Sequence, residues 1–304
     1  MPNLRRGVAA ALGLTLIAYG AAFVACGFDG IGGLGSVAGG GLDGGAHDGS
    51  DLPDVLTSED GGDGDGGGLD GGIDASMTLD GGGTKYGLRV TSGLVALYEF
   101  EEDGGGVAHD TEFAGLDLVA SDPAKIAWKP HALTFTGDTM LATQLAIVKV
   151  VAACETTNEL TVEAWVEPAA SNGNSRTRIA TIAQDDTNLD FALGVDATNA
   201  IWGTVEGGND LAPTDMLAPR LSHLVMTRTA SDAKLRLYLD GTQVTGELSG
   251  TPAPGSSWAQ APLFVGNSSQ SDRPWRGSIH LLAFYSRALT PAEIATNHGA
   301  GADP

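Results

Sequence analysis

The chain has 304 residues with a net charge of −22, and 22 of its 45 glycines fall between Cys26 and Thr84. That stretch cannot assemble a core, so the globular part is confined to roughly the last two-thirds, ample for one all-β domain. The acid is spread along the whole chain and the few Lys and Arg are scattered, Arg273 and Arg276 being the nearest to a cluster, which excludes a nucleic-acid partner.

The first element is a leader, residues 1–25. Arg5 and Arg6 precede a run without charge from Gly7 to Cys26, the layout of an export signal. The run closes on Phe23-Val24-Ala25-Cys26-Gly27, which resembles a bacterial lipobox, with Cys26 as the residue that would take the lipid. The competing reading is an uncleaved membrane helix, since about 18 apolar residues nearly span a bilayer. Both readings put the rest of the chain outside the cytoplasm on a membrane leash, and Gly27 after the cysteine resembles the outer-membrane destination, facing the periplasm or the surface. If Cys26 is acylated, Cys154 has no partner within the chain; following the apolar run Ile147 to Ala153, it reads as a buried thiol.

Residues 26–85 form the second segment. Asp-Gly steps recur, with twelve carboxylates between Asp29 and Asp80 and no Lys or Arg. Self-repulsion and glycine entropy make this a disordered tether. Neither a 12-residue calcium loop with its closing Glu nor a GGxGxDxUx nonapeptide is present, so a spacer is the better reading.

From 86 to 304 the pattern changes to short alternating runs. LVALYEF (94–100) is followed by ELTVEAWVE (159–167), which sends Leu160, Val162, Ala164 and Val166 to one face and Thr161, Glu163, Trp165 and Glu167 to the other. LDFALGVD (189–196) alternates likewise. SHLVMTRT (222–229), AKLRLYLDG (233–241) and TQVTGEL make a meander that turns at Ala230 to Asp232 and at Asp240-Gly241, and PLFVGN (262–267) and RGSIHLLAFYS (276–286) complete the strands. One short helix is marked by Thr290, Pro291 and Glu293, with Gly299 beyond its end. Period-2 strands need a second sheet over their apolar face, so the expected fold is an antiparallel two-sheet jelly-roll sandwich with one short C-terminal helix.

Taken in order, LVALYEFEED, HDTEFAGLDLVA, HALTFTGD, LTVEAWVEP, HLVMTRT, LRLYLDGTQV, PLFVGN and GSIHLLAFYSRALTPAEI resemble the laminin-G-like jelly-roll domain of the concanavalin A-like lectin/glucanase superfamily. The resemblance implies a calcium ion at the sandwich edge. Asp110 matches the early loop aspartate of that site, but His280 stands where the second aspartate is expected and Leu281 where its acidic neighbour is. Calcium prefers six to eight oxygens, so the implied site is degenerate. A zinc-type site of His109, Asp110 and His280 is the less favoured metal reading.

The enzymatic branch of the superfamily works with two carboxylates on one strand, which puts Glu163 and Glu167 forward with Trp165 between them. Four residues of strand separate their Cα atoms by about 13 Å, against carboxyl spacings of about 5 to 9.5 Å in glycosidases. The aspartate those enzymes keep between the glutamates is missing. The resemblance therefore implies a binding or adhesion module for carbohydrate or envelope protein, without catalysis, using Trp202, Trp258 and Trp275 as ligand contacts. A glycoside hydrolase using Glu163 and Glu167 is the alternative.

Overall fold

The computed structural model describes residues 88–302 except 113–114, 174–175, 186–187, 255–257 and 259. The leader, Cys26 and the Asp/Gly tether lie outside the described residues. Among the described residues no helix is long and apolar enough to cross a membrane.

In chain order the strands are β1 (Leu94–Tyr98), β2 (Val107–Ala108), β3 (Leu118–Ala120), β4 (Ile126–Lys129), β5 (Ala132–Phe135), β6 (Leu141–Thr143), β7 (Leu160–Pro168) and β8 (Thr177–Ala183). They continue with β9 (Leu189–Val195), β10 (Ile201–Val205), β11 (Ser222–Thr229), β12 (Lys234–Leu239), β13 (Thr242–Gln243), β14 (Leu248–Ser249), β15 (Leu263–Val265) and β16 (Gly277–Tyr285). Helix α1 (Val148–Thr157) precedes β7, and α2 (Pro291–Ala300) follows β16.

Two antiparallel sheets result. One runs β13-β12-β11-β7-β16-β5-β4, with β1 added against β16 and β14 against β12; the other runs β10-β9-β8-β15-β6-β3-β2. The alternation along β7 is what joins them. Leu160, Val162, Ala164 and Val166 enter the core between the sheets, where they meet the layer holding Phe191, Leu193 and Val195 of β9. The meander closes as its turn residues require, with Asp240 and Gly241 both at positive φ (48° and 77°) between β12 and β13.

Two features depart from the sequence reading. Residues 148–157, read only as an apolar run before a buried thiol, form a second helix: Val150, Val151 and Cys154 lie on its buried face, and Asn158, left-handed at φ 55°, stops it. Tertiary burial at helical spacing outweighs the β preference of its valines. The other face of β7 is also buried. Trp165 joins Leu97, Val225, Tyr285 and Ile294 in a second core, because α2 lies on the outside of the first sheet with His298 stacked on Trp165 at 5.6 Å and 4°. Helix α2 itself starts as its motif requires: Thr290 accepts from the Glu293 amide while Glu293 caps in return. It runs through Gly299 to Ala300, one turn-end beyond the stop expected.

Candidate functional site

Glu163 sits in the middle of the second core, fully buried. Its Oε1 is paired with the Arg89 guanidinium and lies 3.0 Å from His223 Nε2, while Oε2 accepts from Asn297 Nδ2 at 2.7 Å and the Tyr285 hydroxyl at 3.3 Å. Burial pushes its carboxyl upward, but the His223 hydrogen bond and the Arg89 charge outweigh it and hold the group at about 2. Arg89 also reaches the Gly301 carbonyl at 2.5 Å, so this network fastens the segment before β1 and the end of α2 to the sheet. Both carboxylate oxygens are engaged. Glu167, four residues along, is exposed on the same strand. The Glu163 and Glu167 pair is corrected accordingly: substrate cannot reach the first carboxylate, and its role is to hold the fold.

The three tryptophans expected as ligand contacts are corrected as well. Trp275 and Trp258 are 0% and 6% exposed and belong to the core between the sheets; Trp202 is 3% exposed, lying under the Arg176 guanidinium at 4.8 Å. Cys154 is buried, and burial pushes its thiol up to about 12.

Asp110 is buried, and its Oδ1 accepts from the amides of Leu97 at 3.0 Å and Glu112 at 3.1 Å. Its Oδ2 faces the Lys149 ammonium of α1 at 3.5 Å. His109 instead pairs with Asp117 at 3.1 Å in the open, and His280 sits at the bulge of β16 between Ile279 and Leu281. Among the described residues no three His, Cys, Asp or Glu converge on a common point. These residues do not fit a calcium or zinc ion: a lysine from a helix that the sequence hid presents a positive charge to the aspartate.

A different cleft is built at the edge strand β4. Trp128 is half-buried there, and its indole nitrogen donates to the Gly105 carbonyl at 2.9 Å, which fixes the ring. Pro130 and left-handed His131 (φ 54°) turn the chain tightly into β5. Opposite, Phe100 is anchored in the core with φ 51°, and the chain leaving it carries Glu101, Glu102 and Asp103 past the indole. The cavity between them measures about 340 Å³ and opens to solvent. His131 Nδ1 lies 3.1 Å from Glu101 Oε1. The His109 amide donates to Glu102 Oε1 at 2.6 Å, while Glu102 Oε2 is enclosed without a hydrogen-bond partner among the described residues.

An indole face, several carboxylates and an imidazole around one open cavity can stack a sugar ring, accept its hydroxyls and move protons. Sequence reasoning passed over this group. The available signal was the Glu-Glu-Asp run directly after β1 and a tryptophan between Lys125 and Lys129 on a four-residue strand, but nothing local links the two.

Residues 143–295 match a laminin-G family model described as the concanavalin A-like lectin/glucanases superfamily. The chain belongs to that superfamily. No curated protein matches it by sequence. Among solved structures, the Trypanosoma rangeli sialidase in complex with the inhibitor DANA aligns with a TM-score of 0.54 at 15% identity, over 71% of this chain and 34% of that one. The same sialidase with sialic acid aligns at 0.54 and 16%, over 69% and 34%. Domain 4 of AbnA, a GH43 extracellular arabinanase from Geobacillus stearothermophilus, in complex with arabinotriose, aligns at 0.52 and 18%, over 67% and 98%. At these identities the likeness is one of fold, and the chain spans about a third of the sialidase chains it matches. The expectation of an adhesion module outside enzymes is nevertheless corrected: the sialidase and the arabinanase domain just described bear the names of glycoside hydrolases.

Proposed function

We propose that the protein is an exported glycoside hydrolase that takes an oligosaccharide into the Trp128 cleft and cleaves a glycosidic bond there. The observation that carries this reading is a fixed indole beside two carboxylates around one open cavity, Glu102 held by the His109 amide and Glu101 braced by His131. The superfamily supports it, as do the arabinanase domain and the sialidases that share the fold.

Glycoside hydrolysis needs one carboxyl to protonate the leaving oxygen and another to attack the sugar or activate water. Glu102 takes the proton-donor role, its carboxyl held at the cleft by the His109 amide. Glu101 supplies the second carboxylate, and Trp128 holds the ring. Cys26 carries the lipid that keeps the mature chain at the membrane, which mass spectrometry of the N-terminal peptide tests directly.

The deciding experiment measures reducing-sugar release from arabinan, β-glucans and aryl glycosides by the whole protein, alongside calorimetric binding of the same oligosaccharides. Glu102→Gln is expected to lower kcat by about 10²-fold or more, and Trp128→Ala to raise KM. Binding without release, or release that Glu102→Gln leaves intact, overturns the assignment.

A further inference from the structure

Strands β4 and β5 pair Lys129 with Ala132, so the hairpin between them turns on Pro130 and His131 alone. Proline sets the first corner at a φ of about −65°, and His131 takes the second at φ 54°. That order is the type II turn, whose second corner favours glycine because a Cβ there strains the backbone. Histidine enters the left-handed region more readily than a bulky or β-branched residue, yet at a cost that glycine does not bear. Backbone strain of this kind collects where a side chain serves a site. His131 has Glu101 to serve: its Nδ1 lies 3.1 Å from Glu101 Oε1.

The contact does little for stability. The two side chains are 53% and 50% exposed, and a pair so open to water is screened until it offsets no more than the turn costs. Its consequence is placement. Glu101 follows Phe100, whose left-handed backbone (φ 51°) is held by a ring buried in the core 6.4 Å from that of Tyr98, so the root of Glu101 is fixed. Beyond that root, packing alone leaves a half-exposed glutamate its rotamer freedom, which a working carboxylate must give up. Lys129 also lines the cleft, but its ammonium reaches across β5 to Ser278 Oγ at 3.5 Å. The imidazole is the group that the hairpin presents to Glu101.

We propose that His131 is a positioning residue: its left-handed turn aims the imidazole at Glu101 and fixes the carboxylate that works with Glu102 on the glycosidic bond. This role rests on the hydrolase reading of the Trp128 cleft.

Reducing-sugar release from arabinan, β-glucans and aryl glycosides by the whole protein, with kcat and KM measured separately, tests it. His131→Gly keeps the left-handed turn and loses the imidazole. Its kcat is expected to fall about tenfold or more while KM stays within about twofold, with Tm unchanged to within about 2 °C. His131→Asn suits the same turn and carries its amide nitrogen where Nδ1 stands, so it should recover most of the lost kcat. In a Glu101→Gln background His131→Gly should cost nothing further, because the group it positions is gone. Absence of release by the unsubstituted protein overturns the hydrolase reading and this role with it. Full kcat in His131→Gly, a Tm that falls along with kcat, a loss that His131→Asn does not recover, or a loss undiminished in the Glu101→Gln background overturns the positioning role alone.

Discussion

At the scale of single residues, environment rather than identity decides what each carboxylate does. Glu163, flanked by the same residue types that suggested a catalytic strand, is held at about 2 against an ordinary 4.5. Because its folded value is depressed, it stabilises the protein at pH above 4.5, and that contribution disappears as pH falls from 4.5 toward 2. The shift corresponds to on the order of 3 kcal/mol. Glu293, lowered to about 2 by its Arg287 hydrogen bonds, titrates in the same window, so Glu163→Gln should flatten the acid limb of the stability curve only in part. At neutral pH the same substitution should cost about 3 to 5 kcal/mol in urea unfolding, since Arg89 is left buried without its counter-charge. Asp110 makes the complementary case. With Lys149 against its free oxygen, neither millimolar calcium nor a chelator should move the melting temperature; a calcium-dependent rise would refute the fit argument.

Among the elements, α2 shows how a short motif acquires weight from what it covers. Its capping box is local, but the helix lays Ile294, Asn297 and His298 over Trp165 and the Glu163 network. Thr290→Ala removes the hydroxyl that accepts from the Glu293 amide and is expected to lower stability by about 1 kcal/mol. Hydrogen exchange should then quicken in α2 before it does in β7, because the lost cap belongs to α2 alone while β7 stays paired on both sides by β11 and β16. The stretch just after β15 is stricter. Gly266 has φ 80° and a Cβ there would stand 2.1 Å from the Phe135 ring, so Gly266→Ala combines backbone strain with overpacking and should destabilise by roughly 3 kcal/mol in thermal unfolding.

For the molecule as a whole, the edge and the middle of the first sheet do different work. The Trp128 cleft belongs to β4 at that sheet's edge and opens to solvent, whereas Glu163 lies on central β7 under α2. Strands β1, β7, β9, β11 to β13, β15 and β16, the inward residues of β7 and β9, the meander turns and the start of α2 were legible from period and turn chemistry, because each is set by residues near in sequence; β8, β10 and the order of strands in each sheet were not. Helix α1 was not, since its valines favour a strand until Val150, Val151 and Cys154 are buried together. Nor were the exposures of the tryptophans, which depend on what lies across the sheet.

By itself, the sequence determined that this protein is an acidic chain with a glycine-rich segment and a two-sheet sandwich of the concanavalin A-like superfamily; alternation and turns are properties of neighbouring residues. Only the tertiary structure decided which acids face solvent. Burial and ionic partners come from Arg89, His223 and Asn297, residues far from Glu163 in sequence, just as Trp128 meets Glu101 to Asp103 only when β4 is laid beside the chain leaving β1.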